Sequence, residues 1–483
     1  MIENINKKIF SLTSDFSVSH IHDISLRILG EIGVPIASEK ALDLLYSIGC
    51  KVDRKKKIVF ISGDIVRESL DKVIPVIKLY NRSNEGKVII GSNNTAFMSG
   101  AAAICVRDLE GVYRRPTLKD LADMTRVQDS LDNIDIIHEL VEPSDVDPAI
   151  FRVKMASEIL RNTTKPCAFV VDGPEDVEAI FNMGVAVRGS VKKLKEKPLF
   201  SIHDISAEAT LGIVKEQCDA LMRCAELGIP TGLASYPIMG TTGPVYVEGS
   251  LALANANILC GLVITQNIKP GAPFLYMIMA GSMDMRNAEM VTASPEIWAY
   301  YLAGQKMAEY YHLPGHCIIS GDSKYSDIQL AMEKYSAMMI AVLSGINLIH
   351  GTVCQSDGMN GANYEQMLID NEIVSMIKHM INTFGFSRQG TFADDIFEDI
   401  EKSLVNKMYF MDSDITVRDF KKRLWMSELL VRDNFDRWQA DGMKSIIDNS
   451  IHKTKCILNS HEVKPLDSTV KRELKRIVEK SNY

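Results

Sequence analysis

Between residues 116 and 352 the chain alternates, unit after unit, between helical stretches and short apolar, β-branched runs. The runs are "IDIIHELVEP", "PCAFVVDG", "PLFSIHDIS", "PTGLASYP", "PFLYMIMAG", "HCIISGD" and "GINLIHGT"; stretches such as "TLKDLADMTRVQDSL" and "EATLGIVKEQCDALMRCAELG" separate them. Short strands bounded by Gly and Pro, alternating with helices of a dozen or more residues, form βαβ units and therefore a parallel sheet. None of the seven runs leads into a G-x-G-x-x-G or a G-x-x-x-x-G-K-[ST] loop. A doubly wound sheet built around a nucleotide would carry one. Seven regular units, with an eighth in less regular sequence, predict a (β/α)8 TIM barrel.

The flanks differ from this core. Residues 1–115 read as an N-terminal layer: a helix in "SDFSVSHIHDISLRILGEIG", closed by Gly33, then strands and hairpins in "KKIVFISGDIV" and "NTAFMSGAAAICVRDLEGVYRRP". Residues 116–385 are the expected barrel core, and 386–483 a polar helical extension ending in "KRELKRIVEK", which reads as a solvated helix face. With 483 residues, 46% hydrophobic and 24% charged, the chain has the size and composition of one large barrel with extensions. A net charge of −8 and a pI near 5.8 argue against nucleic acid as a partner. The opening "MIENINKKIFSLTSDF" lacks an apolar h-region, and no uninterrupted apolar run reaches the length of a membrane span. The nine cysteines, scattered without paired spacing from Cys50 to Cys456, read as reduced thiols of a cytoplasmic protein.

In a barrel of this kind, chemistry is built where each strand hands over to its loop. Those positions hold His138 and Glu139; Asp172; His203 and Asp204; Tyr236; Tyr276 with Asp284 and Arg286; Asp322, Ser323 and Lys324; and His350. Each alone has an ordinary structural role open to it, a helix cap for Asp172 or Asp322 for example. Their convergence on one end carries the weight. The chain has no H-E-x-x-H, no paired C-x-x-C and no G-x-S-x-G elbow. The nearest metal candidate joins His316 and Cys317 to Cys354, but adjacent strand residues point to opposite faces. No metal site is therefore expected.

The blocks "MGTTGPVYVEGSLALANANILCGLVITQ", "GAPFLYMIMAGSMDMRNAEMVTASPEIWA", "GDSKYSDIQLAMEKYSAMMIAVLSGINLIHG" and "YEQMLIDNEIVSMI" resemble the trimethylamine methyltransferase family. So does "FMDSDITVRDFKKRLWMSELLVRDNFDRWQADG", so the likeness spans nearly the whole chain. The resemblance implies a (β/α)8 barrel that passes a methyl group from a methylamine to the cobalt of a partner corrinoid protein, binding no cofactor itself. The founding trimethylamine enzymes carry pyrrolysine in the segment matching "CIISGDSK", where this chain has ordinary residues. That departure resembles the non-pyrrolysine branch, whose members demethylate glycine betaine, proline betaine, carnitine or γ-butyrobetaine.

A quaternary ammonium already carries full positive charge and leaves as a neutral tertiary amine, so the enzyme's work is aiming and electrostatics. Aromatic faces suit the ammonium, and Phe97, Tyr236 and Tyr276 are the candidates, with Tyr276 expected inside the mouth of the barrel. A polar anchor suits the carboxylate: His350 first, with Arg286 or Lys324 as partners and His203 as a further lining residue. Asp322 and His350 are the residues assigned to catalysis, with Asp322 either facing the ammonium or capping the next helix. A homo-oligomer is expected. Two other readings stay open at this point, a non-catalytic betaine-binding barrel and a zinc-dependent barrel methyltransferase.

Overall fold

The computed structural model describes residues 17–100, 102–383 and 393–481. The opening residues 1–16 and the boundary drawn between 385 and 386 lie outside them. The chain is a mixed α/β fold in which the alternation read from sequence appears as short parallel strands separated by helices. The strand Cys167–Phe169 pairs in parallel with Phe200–Ile202, and Tyr276–Ile278 pairs with Gly315–Ile318, which pairs with Leu348–His350. Parallel bridges Met98↔Ile136, Ile137↔Cys167 and Thr231↔Phe274, with a bond from Ile202 N–H to the Pro230 carbonyl, join the rest. The succession returns to its start because Leu348–His350 also pairs with Ala96–Phe97.

That last pairing corrects the sequence reading. Ala96–Phe97 was expected in the N-terminal hairpin layer, yet it is the partner that carries the pairings round. A two-residue strand running into Ser99-Gly100 has no helix before it to mark a βα unit.

Side chains along the strands alternate between two cores, as the pleat requires. Ala96, Met98, Ile136, Ala168, Ala234, Leu275, Met277, Ile318 and Leu348 share one cluster inside the ring of pairings. Phe97, Ile137, Phe169, Ile202, Tyr276, Ile278, Cys317 and Ile349 belong to the larger cluster beneath the helices. The antiparallel hairpin Val76–Tyr80 with Lys87–Gly91 adds Ile77, Leu79 and Ile90 to the inner cluster. Its Tyr80 N–H donates to the Pro198 carbonyl just ahead of Phe200–Ile202, so the hairpin covers the N-terminal ends of the strands.

Val247–Ile268 is the described helix long and apolar enough to cross a membrane by length and composition, but most of it is buried inside the protein. Its polar residues bind the surrounding fold. Asn257 donates to the Thr210 carbonyl and to Ser235 Oγ and accepts from the Gly212 N–H; Asn255 donates to Ser25 and Tyr311. Those are the contacts of a core helix. At the far end, Ser468–Lys480 buries Leu474, Ile477 and Val478. The basic segment is thus solvated on one side only and packs on the other.

Candidate active site

Four histidines occupy inner positions on the parallel strands, His138, His203 and His350 toward their C-terminal ends and His316 within Gly315–Ile318. His138 follows Ile136, His203 follows Ser201, His316 precedes Ile318 and His350 follows Leu348, each two residues from a neighbour on the same face. All four are fully buried. Ring centroids are 4.5 Å apart for His138 and His350, 5.1 Å for His203 and His316, and 5.5 Å for His316 and His350.

Few of their nitrogens are engaged. His138 Nδ1 lies 3.0 Å from the Gly100 carbonyl, which makes Nδ1 the donor and leaves Nε2 bare; His203 Nε2 lies 2.9 Å from Ser201 Oγ. Among the described residues, His203 Nδ1 and both nitrogens of His316 have no hydrogen-bond partner, and those of His350 make no well-formed bond, the Gly100 backbone being the polar group within their reach. Buried polar atoms in native proteins are nearly always satisfied, so a group of orphans at one spot points to a ligand. Burial lowers every one of these imidazole pKa values; neighbouring imidazoles lower His203, His316 and His350 further, while Asp204 pulls His138 back upward, and His316 falls to about 3. All four are neutral at pH 7.

Acidic groups complete the wall. Glu139 is fully buried; its Oε1 accepts from the Val170 N–H at 3.2 Å, and its Oε2 has no hydrogen bond among the described residues but pairs with Arg152 Nη1 at 3.7 Å. Burial pushes the Glu139 carboxyl up to about 8 against the pull of Arg152. Asp204 has φ +59°, an Oδ1 with no hydrogen bond among the described residues, and an Oδ2 3.8 Å from His138 Nε2; burial raises its pKa too. Cys354, Asp357 and Met359, in the loop after His350, also hold positive φ. Left-handed non-glycine residues collect at functional sites, where the surroundings must enforce them. Arg152 comes from the helix Phe151–Asn162 and also binds Glu142 at 2.8 Å and Asp172 at 3.1 Å. No sequence signal marked it, because it belongs to a helix and not to a strand end.

The structure sorts the residues expected from sequence. His203, His350 and Tyr236 are brought together on the inner side; Tyr236 packs against the inner cluster, and its ring comes within 3.2 Å of where a Cβ on Gly281 would stand. Phe97 and Tyr276 are not. Phe97 faces the outer core, with Lys378 Nζ 4.8 Å from its ring centroid. Tyr276 lies between inward Leu275 and Met277, so it points outward and donates to Asn255 Oδ1 at 2.9 Å. The expectation that Tyr276 stands inside the mouth is therefore corrected; the methionines of "PFLYMIMAG" line the interior instead.

Asp322 does not cap the next helix, and it lies within electrostatic reach of Tyr236. Its carboxylate accepts from Thr292 N–H (2.9 Å), Thr292 Oγ1 (2.7 Å) and Ala293 N–H (3.2 Å), while Asp327 caps the helix Ile328–Leu343. With those donors filling it, Asp322 holds a loop. Arg286 is exposed and paired with Asp284 at 2.6 Å. Lys324 is exposed too, paired with Asp357 at 3.1 Å. His316 and Cys317 face opposite sides as expected, and the Cys354 thiol donates to the Asn363 carbonyl at 3.0 Å. Among the described residues no group of three or more His, Cys, Asp or Glu is arranged to hold a metal ion.

Tyr276→Phe tests the corrected position. Losing the hydroxyl leaves buried Asn255 Oδ1 without its donor and lowers stability by about 1–3 kcal/mol, with substrate Kd unchanged. Altered Kd at unaltered stability would return Tyr276 to the site.

Comparison with known proteins shows the family of the chain. A family model described as trimethylamine methyltransferase (MTTB) matches residues 2–482. The trimethylamine methyltransferase MttB of Desulfitobacterium hafniense (strain DSM 10664 / DCB-2) is 30% identical over 471 residues, covering 97% of this chain and 93% of its own. The glycine betaine methyltransferase of Desulfitobacterium hafniense (strain Y51) is 27% identical over 441 residues, 90% of each chain. The crystal structure of the hydroxylamine MtmB complex superposes with a TM-score of 0.51 at 9% identity over 92% of both chains, which shows a shared α/β fold. Matched almost from end to end by one family model, this chain belongs to the trimethylamine methyltransferase family and is a methyltransferase.

Proposed function

We propose that the chain moves a methyl group from a small quaternary amine of the glycine betaine type to the cobalt of a partner corrinoid protein. The eight parallel segments, joined head to tail, form a (β/α)8 barrel in this reading, with residues 1–115 (less 96–98) and 386–483 as its N-terminal layer and C-terminal extension. The carrying observation is the cluster of buried His138, His203, His316 and His350 beside Glu139 and Asp204, with ring nitrogens that find few partners among the described residues.

The residues have distinct work. His350 and His203 donate N–H to the substrate carboxylate. Tyr236 gives the ammonium an aromatic face, a contact worth about 0.5–2 kcal/mol. Met279, two residues beyond Met277 on the same face, adds polarizable wall. Asp322 supports the rim by holding Thr292 and Ala293. The partner's reduced corrinoid supplies the nucleophile that accepts the methyl, approaching from the strands' C-terminal ends. The N–CH3 bond breaks, its electron pair stays on nitrogen, and a neutral tertiary amine leaves. Neutral imidazoles suit such a donor, since it needs no acid.

A second reading rests on Glu139. A carboxyl raised to about 8 keeps its proton at neutral pH and could keep a tertiary amine protonated, which makes trimethylamine a donor.

A substrate panel with free cob(I)alamin, scored by the methyl–cobalt absorbance, separates them. Glycine betaine or a relative is expected to react at least about 100-fold faster than trimethylamine and dimethylglycine, a barrier difference of about 2.7 kcal/mol. Trimethylamine at a comparable rate, abolished by Glu139→Gln, favours the second reading. Methyl transfer from no amine on the panel overturns both.

A further inference from the structure

The helices Ala393–Val405 and Asp414–Arg423 form an arm whose apolar side chains face water. Ile396, Ile400 and Leu404 recur at four-residue spacing along one face of the first helix with Phe397 beside them, and Val417 and Phe420 line the second; Phe397, Leu404 and Val417 are 64%, 66% and 63% exposed. The base of the arm is fastened. Trp425 Nε1 donates to Ser375 Oγ at 3.0 Å, and the Glu428 N–H donates to Glu372 Oε1 at 3.0 Å, both on the helix Gln366–Thr383. The two arm helices are joined by an exposed ion pair, Lys402–Asp414, at 3.0 Å. Helices of 13 and 10 residues are marginal in water without an apolar face to bury. Exposed apolar side chains gathered on neighbouring helices mark an interaction site.

We propose that the arm pairs with the same arm of a second copy of this chain, the first helix of each lying on the second helix of the other. The charges identify this occupant. Apolar stripe apart, the first helix is acidic, with Asp395, Glu398, Asp399 and Glu401 against Lys402; the second is basic, with Arg418, Lys421, Lys422 and Arg423 against Asp414 and Asp419. A two-fold contact requires one patch to complement itself, and a segment that is acidic in one half and basic in the other does so when two copies meet antiparallel. Each apolar stripe then covers its counterpart, and each acidic helix faces a basic one. A partner of another kind gives no reason for the two charges to be divided this way. The contact is independent of the substrate reading, since it lies on the C-terminal extension.

Light scattering on the full chain, eluted from a sizing column at micromolar concentration, tests this. The wild type is expected to be at least a dimer. Glu398→Lys/Asp399→Lys/Glu401→Lys leaves both helices basic, and Arg418→Glu/Lys421→Glu/Lys422→Glu leaves both acidic, so each variant is expected to associate at least tenfold more weakly. Mixing the two restores association, because each arm then meets its opposite. A monomeric wild type, undiminished association of either variant, or a mixture that stays dissociated would overturn the proposal; the first of these is the outcome if the arm serves the corrinoid protein. Melting temperature shows whether each variant keeps its fold. Should one not fold, hydrogen exchange on the unaltered chain decides: amides of 393–423 are expected to be protected at high concentration and to lose protection on dilution, and protection independent of concentration contradicts the pairing.

Discussion

Lys334→Met is expected to lower the unfolding free energy by about 3–5 kcal/mol, the cost of leaving a buried charge without its partner. Lys334, on the helix Ile328–Leu343, and Asp370, on Gln366–Thr383, are both fully buried, with Nζ 2.7 Å from Oδ2. The ammonium also donates to the Gly351 carbonyl at 3.3 Å, and Asp370 Oδ2 accepts from the Cys354 N–H at 2.7 Å. The pair therefore clamps both ends of the loop that leaves His350. Burial already raises the Asp370 carboxyl against the pull of Lys334, and removing the ammonium adds to that. Gly351 shows how tight the loop is: φ is +74°, and a Cβ there would stand 1.9 Å from the Ile319 carbonyl oxygen. Adding Asp370→Asn keeps an acceptor for Cys354 while removing the stranded charge, so the double variant should recover part of the loss. Urea unfolding of both variants measures this; a single variant within about 1 kcal/mol of wild type would mean the pair is relaxed or wet.

The second large effect is acid lability. His316 has an ordinary pKa of 6.5 when unfolded and about 3 when folded, because burial, and then the charge of His138, disfavours its imidazolium. A base whose folded pKa is depressed excludes a proton that the unfolded chain takes up. Its contribution is complete above pH 6.5 and is lost as pH falls toward 3. The slope is about 1.4 kcal/mol per pH unit, about 5 kcal/mol over the window. His138, His203 and His350 shift in the same direction. Glu139 acts oppositely: its folded carboxyl holds a proton up to about pH 8 that the unfolded chain releases near 4.5, so its contribution declines as pH rises between them. His316→Gln isolates one histidine. Between pH 6.5 and 5 the variant is expected to lose about 2 kcal/mol less stability than the wild type. Equal losses in urea titrations at the two pH values would show that His316 is hydrated and titrates freely in the folded protein.

The chain's local pattern was sufficient for the succession of helices and parallel strands, since the periodicity of each element and its Gly and Pro boundaries are properties of neighbouring residues. It also marked His138, His203, Tyr236 and His350 as strand-end residues. It could not mark which face each residue takes. "PFLYMIMAG" is apolar at consecutive positions because both faces of its strand are covered, so no alternation separates the inward Met277 from the outward Tyr276. The facing of Phe97 is hidden for the same reason, in a strand whose role itself depends on partners some 250 residues away at Leu348 and Ile349.

Partnership was equally out of reach. Asp322 is as plausible a catalytic carboxylate in sequence as any, until Thr292 and Ala293 are found to fill it. Arg152 sits in the first turn of an ordinary helix, and only the packing of that helix against its strands brings the guanidinium to Glu139. His316, set aside with Cys317 as half of a metal pair, joins the other three histidines because the pleat turns it inward while Cys317 turns out. Sequence alone determined which elements form and which polar groups stand at their ends, because those follow from local periodicity. Tertiary structure decided which of those groups meet, because a strand's facing is set by pairing register, and a shift of one residue would exchange every inward side chain for an outward one.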